Sequence, residues 1–453
     1  MKTDLAKLSD NRGDGNKIQT AVPSPASCLD PLSDPASWST FVAVYADKHQ
    51  RQQHKIQAFT ELLPRSPELA ATILNSQYKP GIPRRLAVSK RDGPGKRLVF
   101  VYSWPDELIM KICSRLCAGY SALLPDCCHA FRAGRSARGA FQSLLHRPGL
   151  GRLSCIRIDI ADFFNSIDPE RALAALPLPI QDDKPLMDLL RQVLLQDEYV
   201  QNQIVQQKKP AGIKPGTPLA PILANFYLAG LDRYYQDSGY PYARYSDDII
   251  LFVPPEQQTA VYADLCVRLA ALGLAVNAKK TALLAPGVRW EYLGFSYDHG
   301  RIDLSEISVR KLRDRVRRLA RRLNRYRCRR QVPPAKILIY FFRRLNGRLY
   351  GYTGQPSRFS WTRWYLPVIN TTISLDRLDA YIQEAARFAC TGRYRRANYR
   401  LIPYEQLKAA GCRPLLPCYY TRSWRHDKPQ AEQPPVLREK DAVRSAQPVI
   451  FRP

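Results

Sequence analysis

Apolar positions along the 453-residue chain alternate between two spacings, and each change of spacing marks an element. Residues 1–36, rich in Ser, Pro, Asp and Gly, follow neither spacing, which predicts a flexible leader. From 37 to 76, Trp38, Phe41, Val44 and Leu62 recur at helical intervals and predict an N-terminal helical extension. Between Leu86 and Val101, apolar residues flank RDGPGK, the pattern of a hairpin with a Gly-containing connection. Two helical stretches are predicted next, and then the strand LSCIRIDI. There Ile156, Ile158 and Ile160 share one buried face, and Arg157 and Asp159 share the other. In YARYSDDIILFV, two β-prone runs meet at Ser246-Asp247-Asp248, so a tight turn presents adjacent carboxylates at a hairpin tip. Leu312, Val316, Leu319, Leu323 and Tyr326 recur every four and three residues, predicting a helix over 310–330 with one apolar seam. From about 427 the chain is Pro-rich and charged without periodicity, which predicts a flexible tail.

Composition adds a partner to this picture. A hydrophobic content of 45% supports a substantial core, and the length predicts several subdomains. The formal net charge of +29 favours a polyanionic partner, nucleic acid above all. Twelve Lys or Arg lie within 310–330 and only Asp314 offsets them, so the outer face of that helix is strongly basic. The 11 cysteines are scattered without the second pair a tetrahedral zinc site needs, and are expected as free thiols in a reducing cytosol. No apolar run reaches the roughly 20 residues that span a bilayer, and the amino terminus has no signal-peptide stretch. A cytoplasmic location without a membrane partner is the expectation.

The acidic residues suggest a chemistry. Phosphoryl transfer uses two divalent ions about 3.5–4 Å apart to activate an attacking 3′-oxygen and stabilise leaving pyrophosphate. Hard carboxylate oxygens suit Mg²⁺. Asp159 from one strand and Asp247 and Asp248 from the later turn are therefore expected to form one site. An exposed acidic turn is the plain alternative for the Asp247-Asp248 pair taken alone.

Taken in series, the motifs resemble the bacterial reverse transcriptases of the group II intron and retron type. DIADFFNSID resembles the first catalytic motif of that family, and YSDD its Tyr-x-Asp-Asp motif. GIKPGTPLAPILANFYLAGLD is similar to the template- and nucleotide-contacting motif, LAVNAKKT to the next palm motif and WEYLGF to the primer grip. LAVSKRDGPGKRLVFV and HAFRAGRSARGA resemble fingers motifs, and RRLNGRLYGY and LDRLDAYI resemble thumb helices, so the likeness runs over roughly 75–400. It implies an α+β right-hand polymerase with palm, fingers and helical thumb. The expected divisions are a leader (1–36), a helical extension (37–76), fingers (77–152), a palm with interleaved fingers elements (153–298), a thumb (299–400) and a C-terminal extension with a basic tail (401–453).

The resemblance also implies roles. Asp159 and Asp247 would bind two Mg²⁺ ions directly, with Mn²⁺ as a substitute, helped by the Ile160 carbonyl and supported by Asp248. Phe164 would be the steric gate that favours dNTPs. Lys90 and Arg97 would hold the triphosphate, Pro215 and Gly216 would contact the nucleotide, and Lys280 would protonate pyrophosphate. Tyr292, Leu293 and Gly294 would form the primer grip, and Arg313, Arg317 and Arg321 would track nucleic-acid phosphates. Apart from the resemblance, Tyr340, Tyr350 and Tyr352 could stack on bases, but core packing is the commoner role of aromatics in helices and the expected one here. One departure stands out: Pro215 occupies the place of the family's usual Gln, and proline offers no side-chain amide.

No cysteine and histidine endonuclease module, RNase H domain, retron Val-Thr-Gly or Ser-Gln motif is evident. The remaining likeness is to stand-alone enzymes linked with antiphage defence. It implies an RNA-directed DNA polymerase, a nucleotidyltransferase, that makes cDNA from dNTPs on a dedicated non-coding RNA. The alternatives are an intron-maturase-like RNA-binding splicing factor and an RNA-dependent RNA polymerase. The sequence carries no expectation for the oligomeric state.

Overall fold

The computed structural model describes residues 27–50, 52–89, 95–207, 212–351 and 360–421. Two compact units divide the chain, Met1–Leu283 and Leu284–Pro453. Helices are interleaved along the chain with strands that pair mainly antiparallel, which is the α+β class expected.

Within the first unit, packing begins earlier than the sequence pattern suggests. Leu29 and Leu32 are fully buried, and the Trp38 indole N–H donates to the Leu32 carbonyl at 2.8 Å. Cys28, Leu29 and Leu32, inside the expected leader, are thus part of the core; two leucines three residues apart are too short a signal to read as helix. Residues 1–26 lie outside the described part.

Strands β1 (Arg84–Ser89) and β2 (Lys96–Val101) form the expected hairpin, Arg84 opposite Val101 and Ser89 opposite Lys96. Residues 90–94, and with them Lys90, lie outside the described residues. A second hairpin, absent from the sequence reading, extends this sheet. Four strands run in the order β2-β1-β4-β5, where β3 is Ser154–Asp159, β4 is Glu198–Gln201 and β5 is Ile204–Gln207. β4 and β5 are only four residues each, and Ile204 and Val205 of β5 are exposed, so neither strand is long enough to show a buried period.

The central sheet has the order β6-β7-β3-β8, with β6 at Tyr242–Tyr245, β7 at Asp248–Val253 and β8 at Ala282–Leu284. Ile156, Ile158 and Ile160 are buried as their alternation predicts. Cys155 and Asp159 are buried as well, because the sheet is covered on both faces and the helix Gln258–Ala271 packs on β3.

The second unit opens with the sheet β9 (Trp290–Tyr292), β10 (Phe295–Asp298) and β11 (Arg301–Leu304). The unit boundary therefore precedes the palm–thumb division expected at 298–299. The Gly294 carbonyl, at the β9–β10 turn, accepts hydrogen bonds from the Ser305 N–H and the Ser308 hydroxyl, both at 3.0 Å, so the hairpin is tied to the helix that follows it. That helix, Glu306–Arg330, is capped by the Ser305 hydroxyl and packs with the helices Pro334–Leu349 and Ile373–Thr391. Leu312, Val316, Ala320 and Leu323 line its buried seam, whereas Tyr326 is 44% exposed and leaves the seam that the sequence spacing assigned it. Short helices Tyr404–Ala409 and Leu415–Thr421 follow, and residues from 422 lie outside the described part.

None of the 11 cysteines is in a disulfide bond. No helix among the described residues is long and apolar enough to cross a membrane.

Candidate active site

β3 delivers its last residue, Asp159, directly opposite Asp248, the first residue of β7. β6 and β7 are joined through Ser246 and Asp247, with Tyr245 opposite Asp248. This two-residue connection forces Ser246 to φ +62°, a left-handed conformation that a short polar side chain tolerates at some cost. The Ile160 N–H donates to the Asp247 carbonyl at 3.0 Å, and the Asn277 N–H donates to the Asp159 carbonyl at 2.8 Å. Three separate segments are thereby locked around the three carboxylates.

Asp159 is 7% exposed, and two donors hold its carboxylate: Lys280 Nζ at 2.7 Å and Asn277 Nδ2 at 3.2 Å. Asn277 is absent from the sequence reading. Burial, and then the charge of Asp159, raise the Asp247 pKa above the ordinary carboxylate value. Burial and the charge of Asp247 push Asp248 up to about 6. At Lys280 burial opposes the charge, but the bond to Asp159 and the three negative charges outweigh it and raise the pKa, so the ammonium is protonated at neutral pH.

Among the described residues, no three His, Cys, Asp or Glu side chains are already gathered as a metal coordination sphere. The donor set nevertheless fits a hard divalent cation. Three carboxylates converge, two of them have raised pKa values, and the Lys280 ammonium stands where positive charge is needed.

Behind the turn lies a buried ion pair. Arg244 and Asp232 are both fully buried, with Arg244 Nε 2.8 Å from Asp232 Oδ1 and Nη2 2.5 Å from Oδ2. Arg244 Nη1 also donates to the Ser246 carbonyl and to Asn225 Oδ1, each at 3.2 Å, and the Tyr242 hydroxyl donates to Asp232 at 2.8 Å. The guanidinium thus grips the backbone of the strained turn. Sequence reading missed this pair, because two charges twelve positions apart on different elements carry no local signal. Arg244 in a strand that is otherwise apolar or aromatic was the available clue.

The loop containing Pro215 and Gly216 is fastened to both of its neighbours. The Ile213 N–H donates to the Phe164 carbonyl at 2.9 Å, and the Phe100 N–H donates to the Pro215 carbonyl at 2.8 Å. Gly212, at φ +77°, has no room for a side chain, since a Cβ would lie 2.4 Å from Asn165 Cα; at Gly216 it would lie 2.8 Å from the Phe100 carbonyl oxygen. Lys214, also missed, is buried and donates to the carbonyls of Val193 and Gln196 at 2.6 and 2.7 Å, at the end of the helix Lys184–Leu195. Burial lowers its pKa to about 8.

Phe164 is half-buried between Phe163 and Phe131, with ring centroids 5.3 and 6.5 Å away, and packs against the core. Phe131, left-handed and 53% exposed, is an aromatic that the sequence reading did not single out. Arg97 is exposed on β2.

Remaining candidates lie in the second unit. Tyr292 is buried, while Leu293 and Gly294 form the two-residue β9–β10 turn with φ +49° and +96°. A leucine in that region is strained. Arg313 lies over the Tyr381 ring at 4.5 Å, Arg317 is paired with Asp314 at 2.8 Å, and Arg321 is exposed. The Tyr350 hydroxyl donates to the Arg413 carbonyl at 2.7 Å; Tyr352 lies outside the described residues.

Residues 90–297 match the family described as reverse transcriptase (RNA-dependent DNA polymerase). The chain is 31% identical over 161 residues to an uncharacterized 91 kDa protein in the cob intron of Schizosaccharomyces pombe, covering 35% of this chain and 19% of that protein. It is 26% identical over 199 residues to the group II intron-encoded protein LtrA of Lactococcus lactis subsp. cremoris, covering 44% and 31%. The chain thus spans less than a third of either relative. Among solved structures, telomerase from Candida albicans, in complex with a fragment of telomeric RNA, is similar at a TM-score of 0.43 and 10% identity, over 78% of this chain and 68% of that one. The acidic site, with Asp159, Asp247 and Asp248 on paired strands, lies within the matched span, and residues 90–297 are a domain of the reverse transcriptase family.

Proposed function

We propose that the protein is an RNA-directed DNA polymerase that makes cDNA from dNTPs on an RNA template. The observation that carries this reading is the pairing of Asp159 with Asp248 beside Asp247, in a buried setting that concentrates negative charge. Asp159 and Asp247, with the Ile160 carbonyl, would hold two Mg²⁺ ions, or Mn²⁺ in their place, and Asp248 would support them. When bound, these ions activate the primer 3′-oxygen and neutralise the developing charge on pyrophosphate.

The chain's own groups orient the substrates. Lys280 keeps its proton on Nζ and neutralises Asp159 before substrate arrives; a triphosphate offers it a second anionic partner, and the same proton is then placed for the leaving pyrophosphate. Phe164, wedged against Phe163 with its carbonyl held by Ile213, presents a rigid ring beneath the incoming sugar. Arg97 and Lys90 bring positive charge to the triphosphate. Pro215 and Gly216 set the nucleotide floor by backbone shape, because Pro215 has no amide to contribute. Leu293 and Gly294 at the β9–β10 turn serve as the primer grip, and Arg313, Arg317 and Arg321 bind nucleic-acid phosphates.

The finer reading, a dedicated non-coding RNA in cytoplasmic antiphage defence, rests on the motif likeness to stand-alone enzymes. A second reading, an RNA-binding splicing factor, is favoured by the intron-encoded relatives. Primer extension on an RNA template with Mg²⁺ tests the proposal. dNTP incorporation is the expected result; NTP incorporation alone supports RNA synthesis, and RNA binding without incorporation supports the splicing role. Sequencing of copurified RNA and cDNA tests the dedicated template.

A further inference from the structure

Two helices of the second unit, Glu306–Arg330 and Pro334–Leu349, form a hairpin joined by residues 331–333. Between them lies a cleft of about 590 Å³ lined by Arg322, Leu323, Tyr326, Tyr340, Arg343 and Arg344. The two helices contribute matching sets. Tyr326 lies four residues after Arg322, and Tyr340 lies three and four residues before Arg343 and Arg344, so each tyrosine shares a helical face with a guanidinium one turn away. Both tyrosines lie closer to the connection than their arginines. The cleft therefore has an aromatic end and a cationic end, separated by roughly 5 Å, one helical turn.

Neither tyrosine is a core residue, since Tyr326 is 44% and Tyr340 40% exposed. No carboxylate lines the cleft, and among the described residues none of the three arginines has an acidic partner within ion-pair distance. The helix Pro334–Leu349 holds Lys336, Arg343, Arg344 and Arg348 and no acid at all. Unneutralised guanidinium groups beside exposed aromatic faces are the combination that stacks bases and holds the phosphates joining them. A phosphorylated peptide would engage the arginines but leave the tyrosines idle. A regular duplex keeps its bases stacked inside and would engage only the phosphates.

We infer that this helix-hairpin cleft is a binding site for unpaired RNA, with Tyr326 and Tyr340 stacking on bases and Arg322, Arg343 and Arg344 holding their phosphates. The inference rests on the proposed function only in taking RNA as the strand. Its test reads binding, so loss of polymerase activity leaves it intact.

The experiment uses the full chain with a labelled 12-nucleotide oligouridine and a 12-base-pair RNA duplex, followed by anisotropy at fixed salt for the tyrosine variants and across a salt series for the arginine variant. The Tyr326→Ala/Tyr340→Ala variant should bind the single strand at least about tenfold more weakly, one stacked base being worth roughly 1–3 kcal/mol, with duplex affinity within about twofold of the parent. Tyr326→Phe/Tyr340→Phe keeps the stacking faces and should bind like the parent, which separates stacking from misfolding. Arg343→Gln/Arg344→Gln should flatten the salt dependence by about 0.7 for each phosphate that is no longer neutralised. A 4-thiouridine strand should photocrosslink to peptides spanning 322–344. Equal losses for single strand and duplex, an unchanged single-strand affinity, or crosslinks confined elsewhere would overturn the inference.

Discussion

At the scale of single residues, the site combines carboxylates that repel one another with two cations, Lys280 and Arg157, that moderate them. Asp248, raised to about 6 by burial and by Asp247, is held at a cost when no cation is present. Asp248→Asn should therefore raise the thermal midpoint of the metal-free protein by a few degrees, about 1 kcal/mol, while it weakens synthesis; differential scanning calorimetry in EDTA reads this. Phe164 lies against Phe163 and Phe131 in a ring stack that a smaller residue would open. Phe164→Ala should reduce discrimination of dATP from ATP by about tenfold or more in single-nucleotide incorporation, and unchanged selectivity would remove the gate role.

Asp159, Asp247 and Asp248 stand out in the sequence because strand alternation and an acidic doublet are local patterns, whereas Phe164 is singled out only by the family resemblance. Lys214 and Asn277 do not stand out, since each acts on groups distant in the chain: Lys214 on the end of the helix Lys184–Leu195, and Asn277 on Asp159.

At the scale of elements, the β6–β7 turn depends on the buried Arg244–Asp232 pair. Breaking one side of such a pair leaves an isolated buried charge. Asp232→Leu alone should destabilise the protein by about 3–5 kcal/mol in urea unfolding, whereas Arg244→Met/Asp232→Leu should recover much of that loss. The double variant still lacks the bond to the Ser246 carbonyl, so its synthesis should remain impaired after stability returns. Additive losses would refute the coupling.

His129, whose backbone N–H donates to the Arg244 carbonyl, supplies a pH response. Burial first, and then Arg135 and Arg132, lower its pKa to about 4, below the roughly 6.5 of an unfolded chain. A depressed histidine takes up its proton more readily in the unfolded state. Its contribution is therefore intact above pH 6.5 and is lost as pH falls from 6.5 to 4, by up to about 3 kcal/mol. His129→Gln should flatten the stability profile across that window, and an unaltered slope would contradict the burial argument.

Element boundaries were the less legible part. The β4–β5 hairpin has strands of four residues, too short to show a period, and Leu29 and Leu32 pack before any period can establish itself. Tyr326 sits in register with the seam by spacing, yet it is exposed beyond Leu323, the last residue of the buried stripe.

At the scale of the whole molecule, the strong positive charge and the acidic centre serve different ends. The first gathers polyanions and the second demands cations at one point. Fold class and motif order were legible because several motifs recur in one family's order; the helix-hairpin cleft was not, because only packing brings Arg322 and Tyr326 beside Tyr340 and Arg343. The most direct measurement of the central claim is single-turnover extension of a DNA primer on RNA with Mg²⁺, comparing the parent with Asp247→Asn at matched RNA occupancy. The acidic site predicts a fall of about 10³-fold or more in extension rate with RNA affinity preserved. Extension at the parental rate by Asp247→Asn would contradict it.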